Sequence, residues 1–114
     1  MEMTRRECAV WNRIDQRHGA GAAISRQALV RLTEVPDRKL RDVIHSLVVN
    51  HGKLICSTYG KGGGYFFPVT GREIDEYAGK LHSHALSILQ KEAAVRRISL
   101  NDLLAEYQTE LFES

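Results

Sequence analysis

The chain has 114 residues, of which 43% are hydrophobic and 26% charged, a composition typical of a folded globular protein and not of a disordered one. Its formal net charge of +2 is too small to indicate a nucleic-acid partner by itself. No stretch approaches the roughly 18 consecutive apolar residues of a membrane span, and the N-terminal residues contain no apolar run typical of a signal peptide. We therefore expect a soluble cytoplasmic protein without a membrane partner.

The charges are unevenly distributed along the chain. Residues 1–68 contain 11 Lys and Arg against 6 Asp and Glu, whereas residues 69–114 contain 5 against 8. A basic first part and an acidic second part indicate a polyanionic partner for the first part only. Chance asymmetry is the alternative explanation.

Three helices are predicted in the first half. The first covers about residues 4–18, and its inner side carries residues at helical spacing, followed by a C-capping glycine: Glu7, Val10, Trp11, Ile14 and Gly19. The second begins after Ser25, whose hydroxyl can accept from the first free backbone N–H groups. The third covers about residues 37–50 after Pro36, and its apolar stripe consists of Leu40, Val43, Ile44 and Leu47.

A β-hairpin is predicted after the third helix. Residues 53–58 and 63–69 are rich in β-forming side chains, and the segment from Gly60 to Gly64 between them contains four glycines and Lys61. Glycine allows the backbone to approach a phosphate without a Cβ clash, and a lysine at the tip supplies a positive charge.

Two further helices are predicted in the second half. The sequence Thr70–Glu73 has the form of a capping box and begins a long helix to about residue 94, and Ser99 begins a last amphipathic helix. The long helix carries an apolar residue at every seventh position: Ile74, Leu81, Ile88 and Val95. This stripe either packs on the first domain or forms a homodimer interface through residues 72–95.

The predicted order is helix, helix, helix, hairpin, which is the order of a winged helix-turn-helix. Residues 35–68, from VPDRKLRDVIHSL to GKGGGYFFP, resemble the winged DNA-binding domain of the biotin repressor and related bacterial and phage regulators. The resemblance rests on Arg38, Arg41, Ile44, Leu47 and the run Gly60 to Pro68, and it covers about residues 5–68. Residues 70–114 match no known pattern, and no biotin-ligase domain accompanies the motif.

The resemblance implies a fold that is mainly α with a small β-hairpin. A winged helix-turn-helix domain would occupy residues 1–69, and a C-terminal helical extension for dimerisation or partner binding would occupy residues 70–114. It also implies that the third helix reads base edges in the major groove of double-stranded DNA, since an arginine fork can bind guanine O6 and N7. The implied DNA-binding residues are Ser25, Arg26, Gln27, Arg38, Lys39, Arg41, Asp42, His45, Lys61 and Gly62. An ordinary solvated helix face remains the alternative for Arg38 and Arg41.

Other kinds of site have weaker support. The GKGGG run lacks the order of a Walker A motif, in which the lysine follows the glycines and leads into a helix. His82 and His84 are two apart on a helix and therefore diverge, so no metal site is expected. We expect Cys8 and Cys56 to be buried apolar groups, and we expect no enzyme activity, no cofactor and no small-molecule effector.

The sequence therefore predicts a small DNA-binding transcription regulator of bacterial or phage type. Two other functions remain open. One is a replication or recombination accessory protein of a mobile element, and the other is a winged helix that binds protein instead of DNA.

Overall fold

The structure, a computed structural model, describes residues 2–58, Gly60 and residues 63–113, with the backbone alone for residues 112 and 113. The described part is mainly helical and contains a small antiparallel sheet of three strands in the order β1-β3-β2. In chain order the elements are α1 (Arg5–Ile14), a 3-10 turn (Ala20–Ala22), β1 (Ile24–Ser25), α2 (Arg26–Thr33), α3 (Asp37–Val49), β2 (Cys56–Ser57), β3 (Gly64–Phe66), α4 (Gly71–Arg96) and α5 (Leu100–Glu113). The chain divides into two compact units, residues 1–77 and 78–114.

Helix α1 is shorter than the sequence predicts. Thr4 caps it, since the Thr4 hydroxyl accepts from the Glu7 amide at 3.1 Å and the Glu7 carboxylate accepts from the Thr4 amide at 2.7 Å. The helix ends at Ile14 and not at His18, because residues 17–19 pair with Phe67: the Phe67 amide donates to the Arg17 carbonyl at 2.7 Å and the Gly19 amide donates to the Phe67 carbonyl at 2.8 Å. Gly19 does have a positive φ of 86°, but it lies beyond the C-cap, which is Asp15.

The sheet contains a strand that the sequence does not predict. Strand β1 pairs with β3, with Ile24 opposite Tyr65 and Ser25 opposite Gly64, while β3 pairs with β2 in the predicted hairpin, with Cys56 opposite Phe66. The hairpin prediction is confirmed. Strand β1 was not predicted because its two residues are too few to show an alternation of apolar and polar side chains.

The core of the first unit is formed by α1, α2, α3, β1 and the segment before β2. Its buried members are Val10, Ile14, Ile24, Leu29, Val35, Leu40, Leu47 and Ile55. The predicted inner stripe of α3 is confirmed for Leu40 and Leu47, which are fully buried, and Val43 and Ile44 are partly buried against the same cluster. The packing fixes which side of α3 faces solvent.

The start of α4 is fixed by Glu73. Its amide donates to the Thr70 hydroxyl at 3.2 Å, as the predicted capping box requires. Its carboxylate accepts from the Val69 amide and from the Ala20 amide, each at 2.8 Å. These backbone donors, Val69 first, hold the pKa of Glu73 below its usual value.

The second unit contains the later part of α4 and helix α5. Arg97 takes the left-handed conformation, with φ 59°, and the Ile98 amide donates to the Ala93 carbonyl at 3.0 Å, which ends α4 in a Schellman-type turn. Ser99 caps α5 as predicted, accepting from the Asp102 amide at 3.1 Å. The Tyr107 hydroxyl donates to the Glu92 carboxylate at 2.6 Å and joins the two helices.

Candidate nucleic-acid interface

The exposed side of α3 carries the residues predicted to read DNA. Arg38, Lys39, Arg41, Asp42 and His45 are all exposed, because Leu40 and Leu47 turn the opposite side of the helix into the core. At 100° per residue, positions 38, 41, 42 and 45 share one face of the helix.

The cations of this face are free to meet an external anion. Arg38, Lys39 and Arg41 make no ion pair with any residue that the structure describes. An unpaired surface guanidinium or ammonium keeps its donors hydrated, and a phosphate or a base edge can replace that water.

The turn between α2 and α3 has a defined hydrogen-bond pattern. The Thr33 hydroxyl donates to the Leu29 carbonyl at 2.6 Å and accepts from the Val35 amide at 3.3 Å. Glu34 between them takes the left-handed conformation, with φ 60°, which reverses the chain after α2. Pro36 then precedes the first turn of α3, as the sequence predicts.

The start of α2 presents Ser25, Arg26 and Gln27. The Ser25 hydroxyl accepts from the Ala28 amide at 3.1 Å, so this side chain caps the helix, which confirms its predicted capping role. Gln27 is exposed in the first turn. Backbone N–H groups at a helix start are suited to a phosphate oxygen.

Arg26 has an internal partner that the sequence does not indicate. Its Nε lies 2.5 Å from Asp37 Oδ1, and its second guanidinium nitrogen donates to the Asp37 carbonyl oxygen at 3.0 Å. The pKa of Arg26 is raised, chiefly by this hydrogen bond to Asp37. Arg26 therefore ties the start of α2 to the start of α3 and neutralises the acidic residue in the first turn of α3.

The glycines before β3 have a steric role in the hairpin. A Cβ on Gly64 would overlap the Ile24 carbonyl group on β1, and a Cβ on Gly63 would lie 2.6 Å from the Thr58 carbonyl oxygen. Thr58 also closes the loop, because its amide donates to the Gly64 carbonyl and its hydroxyl accepts from the Gly64 amide, each at 2.8 Å. Two of the four loop glycines are thus required by the backbone packing of the sheet. The predicted contacts Lys61 and Gly62 lie outside the described residues.

A buried polar cluster lies between α1 and the last part of α3. Glu7 is 5% exposed, its carboxylate accepts from the Ser46 hydroxyl at 2.5 Å, and His51 Nε2 lies 3.2 Å from the same oxygen. The side-chain amide of Asn50 donates to the Ser46 hydroxyl at 3.0 Å. The hydrogen bonds from Ser46 and the Thr4 amide lower the pKa of Glu7 to about 2.

This cluster has a structural role and does not match a nucleophilic site. The Ser46 hydroxyl donates to the Glu7 carboxylate, whose pKa of about 2 makes it a weak base and a poor acceptor of the hydroxyl proton. The helical spacing of α1 predicts that Glu7 lies on the inner side of the helix, but that spacing predicts no partner for its carboxylate. A carboxylate within an apolar stripe is the signal that could have indicated one, since buried charges require partners.

The two cysteines differ in burial. Cys56 is buried, as expected, and burial raises the pKa of its thiol, whereas Cys8 is exposed, so the prediction for Cys8 is wrong. Cys8 lies beside the buried Glu7 but on the outer side of α1. Within the described ranges no group of three His, Cys, Asp or Glu side chains is placed to hold a metal ion, and none of the helices there has the length and apolar character to cross a membrane.

Comparison of the chain with models of known protein families, with curated proteins and with solved structures finds no match. The arrangement of α2, α3 and the hairpin in residues 1–77 is therefore the basis for proposing a function.

Proposed function

We propose that the protein binds double-stranded DNA through a winged helix-turn-helix formed by residues 1–69. In this proposal α2 and α3 are the helix-turn-helix, α3 lies in the major groove, and the hairpin of β2 and β3 is the wing. The cellular role that fits a small DNA-binding protein of this kind is transcription regulation.

One observation carries the proposal: α3 presents Arg38, Lys39 and Arg41 exposed and without an ion-pair partner among the described residues, on a helix whose opposite side is buried in the core. A recognition helix needs this combination, because base reading depends on side chains held at a fixed height and rotation in the groove. The buried Leu40 and Leu47 and the Glu7–Ser46 hydrogen bond hold α3 in place against α1.

The surrounding elements support the same orientation. The order α1, β1, α2, α3, β2, β3 brings the hairpin directly after α3 and pairs it with the strand that precedes α2. Since β1 ends at Ser25, where α2 begins, and pairs with β3, the sheet links the wing to the start of α2. The sequence of the wing tip supplies Lys61 as an additional cation.

DNA binding would combine a sequence-independent electrostatic contribution from phosphate contacts with a sequence-specific contribution from base contacts. Lys and Arg contacts to phosphates release condensed counterions, which gives affinity that falls steeply with salt. Arg38 and Arg41, on the outward face of α3, would provide the base contacts, each worth about 1–3 kcal/mol of discrimination when bidentate to guanine.

The test is fluorescence anisotropy with a random-sequence duplex pool over a salt series from about 50 to about 200 mM. We expect binding by the wild-type chain that weakens steeply with salt. On a random-sequence pool most duplexes lack the preferred bases, so Arg38 and Arg41 should meet mainly phosphates. The double variant Arg38→Ala/Arg41→Ala should then bind more weakly, and its salt slope should be smaller by up to about 2, roughly one unit for each lost phosphate contact.

The matched control is Arg5→Ala/Arg6→Ala, which removes the same charge from exposed positions at the start of α1. If both double variants weaken binding equally, net charge and not the α3 face determines affinity, and the winged-helix proposal fails. No binding by the wild-type chain at the lowest salt would instead support the protein-interaction alternative.

A further inference from the structure

The second unit is too small to form a complete core. Residues 78–114 are fewer than the roughly 40 below which an isolated domain usually needs a disulfide, a metal or oligomerisation. Among its described residues only Ala93 and Leu103 are buried. With one buried residue on each helix and the Tyr107–Glu92 hydrogen bond between them, the two helices leave most of their apolar surface uncovered.

That uncovered surface is arranged in two regular stripes. Three exposed apolar residues of α4 recur at every seventh position, apart from Leu86 on another side, and on α5 the same spacing separates two more: Leu81, Ile88, Val95, Leu104 and Leu111. The most exposed are Ile88 at 54%, Leu111 at 73% and Val95 at 76%. A seven-residue apolar period is the pattern that packs knobs into holes on another helix.

The α4 stripe borders the side that meets α5 but is not covered by it: Glu92, which accepts from the Tyr107 hydroxyl, lies only about 40° from Ile88 around the helix, yet Ile88 is exposed. Ile88 and the buried Ala93 are five positions apart, which places them about 140° apart around the helix. The chain's own α5 therefore covers one side of α4 and leaves the stripe of Leu81, Ile88 and Val95 exposed.

The charges of the two helices indicate which kind of partner covers the apolar stripes. Residues 78–97 contain Lys80, Lys91, Arg96 and Arg97 against one acid, Glu92, whereas residues 98–114 contain four acids and no Lys or Arg. A surface with one basic and one acidic helix is complementary to a second copy of itself in a two-fold arrangement.

We propose that a second copy of this chain covers these stripes, so that two copies of residues 78–111 form a four-helix bundle in which α5 of each copy packs against α4 of its partner. The arrangement buries Leu81, Ile88, Val95, Leu104 and Leu111 and brings the acidic helix of one copy beside the basic helix of the other. It extends the interface predicted from the sequence at residues 72–95 to include α5, and it does not depend on DNA binding.

The first test is sedimentation equilibrium of the full chain without DNA at tens of micromolar. The wild-type chain should sediment at twice its mass of 12.9 kDa. Ile88→Asp should sediment as a monomer, while Ser83→Asp, which adds the same charge at an exposed position on the other side of α4, should remain dimeric. A monomeric wild-type chain, or a dimeric Ile88→Asp variant with helical circular dichroism, would overturn the proposal.

A charge exchange tests the pairing of α4 with the partner's α5. Lys91→Glu/Arg97→Glu gives residues 78–97 a net negative charge like that of residues 98–114, and Asp102→Lys/Glu106→Lys/Glu110→Lys gives residues 98–114 a net positive charge like that of residues 78–97. Each variant alone should therefore dimerise at least tenfold more weakly than wild type. Mixed in equal amounts they should form a heterodimer, because each α4 then meets an α5 of opposite charge. If the mixture shows no heterodimer, or if each variant dimerises as well as wild type, this pairing is wrong.

Discussion

The Glu7 carboxylate accepts a hydrogen bond of 2.5 Å from the Ser46 hydroxyl and thereby joins α1 to the last part of α3. The Glu7 side chain simultaneously caps α1 through the Thr4 amide, so one buried group fixes the start of one helix and the end of another. Because α3 carries the candidate DNA-binding face, this contact couples the stability of the core to the orientation of that face.

The first prediction concerns pH and Glu7. Its pKa in the folded chain is about 2, below its usual value of 4.5, so the folded state binds the proton less readily than the unfolded state does. The resulting stabilisation is fully present above about pH 4.5 and is lost as the pH falls towards 2. The variant Glu7→Gln should be less stable than wild type at neutral pH, and its stability should fall less between pH 4.5 and pH 2.

Urea denaturation at a series of pH values measures both effects. Glu2→Gln is the matched control, since Glu2 is exposed at the same end of α1. If the free energy of unfolding of Glu7→Gln falls as much as that of wild type below pH 4.5, then Glu7 is not the group whose protonation destabilises the folded chain.

The second prediction concerns Gly64, where a Cβ would overlap the Ile24 carbonyl group in the paired strand. Gly64→Ala should force β1 and β3 apart and lower the free energy of unfolding by at least about 2 kcal/mol. Gly79→Ala is the control: Gly79 lies in α4 with no atom within 4 Å of the added Cβ, so the change should raise stability by about 0.5–1 kcal/mol. Thermal unfolding of the two variants should therefore shift in opposite directions, and a tolerated Gly64→Ala would contradict the strand pairing.

Local signals predicted the helices well. The Ser25 cap, Pro36 before α3 and the spacing of Leu40 and Leu47 depend on neighbouring residues in the chain, and the structure confirms each of them. Likewise, Ser99 was recognisable as a cap because its hydroxyl acts only three residues away. Such signals are visible in a sequence because the interacting groups are separated by one helical turn.

Contacts between distant segments were not predictable in the same way. Strand β1 exists because Ile24 meets Tyr65, and α1 ends early because residues 17–19 meet Phe67. The glycines before β3 suggested only close approach to a phosphate, whereas the structure gives two of them a steric role in the sheet. The candidate site shows the same division: the exposed face of α3 follows from helical spacing, but the Arg26–Asp37 pair depends on how α2 and α3 cross.

The last prediction separates two roles of Arg26. In the free protein Arg26 is paired with Asp37, and both side chains are partly exposed, at 36% and 66%. A pair with this exposure contributes about 0–1 kcal/mol to stability, so Asp37→Asn should change the free energy of unfolding little. The substitution removes one negative charge beside α3 and leaves only neutral acceptors for the Arg26 guanidinium, the Asp37 carbonyl among them, so that a phosphate can compete for it.

Asp37→Asn should therefore bind duplex DNA more tightly than wild type and with a steeper salt slope, by up to about one unit if Arg26 gains a phosphate contact. The double variant Arg26→Ala/Asp37→Asn isolates that contact, because it lacks the released arginine. If its salt slope equals that of Asp37→Asn, Arg26 makes no phosphate contact and serves only to hold α2 against α3. If Asp37→Asn binds DNA no better than wild type, the start of α3 does not approach the phosphate backbone.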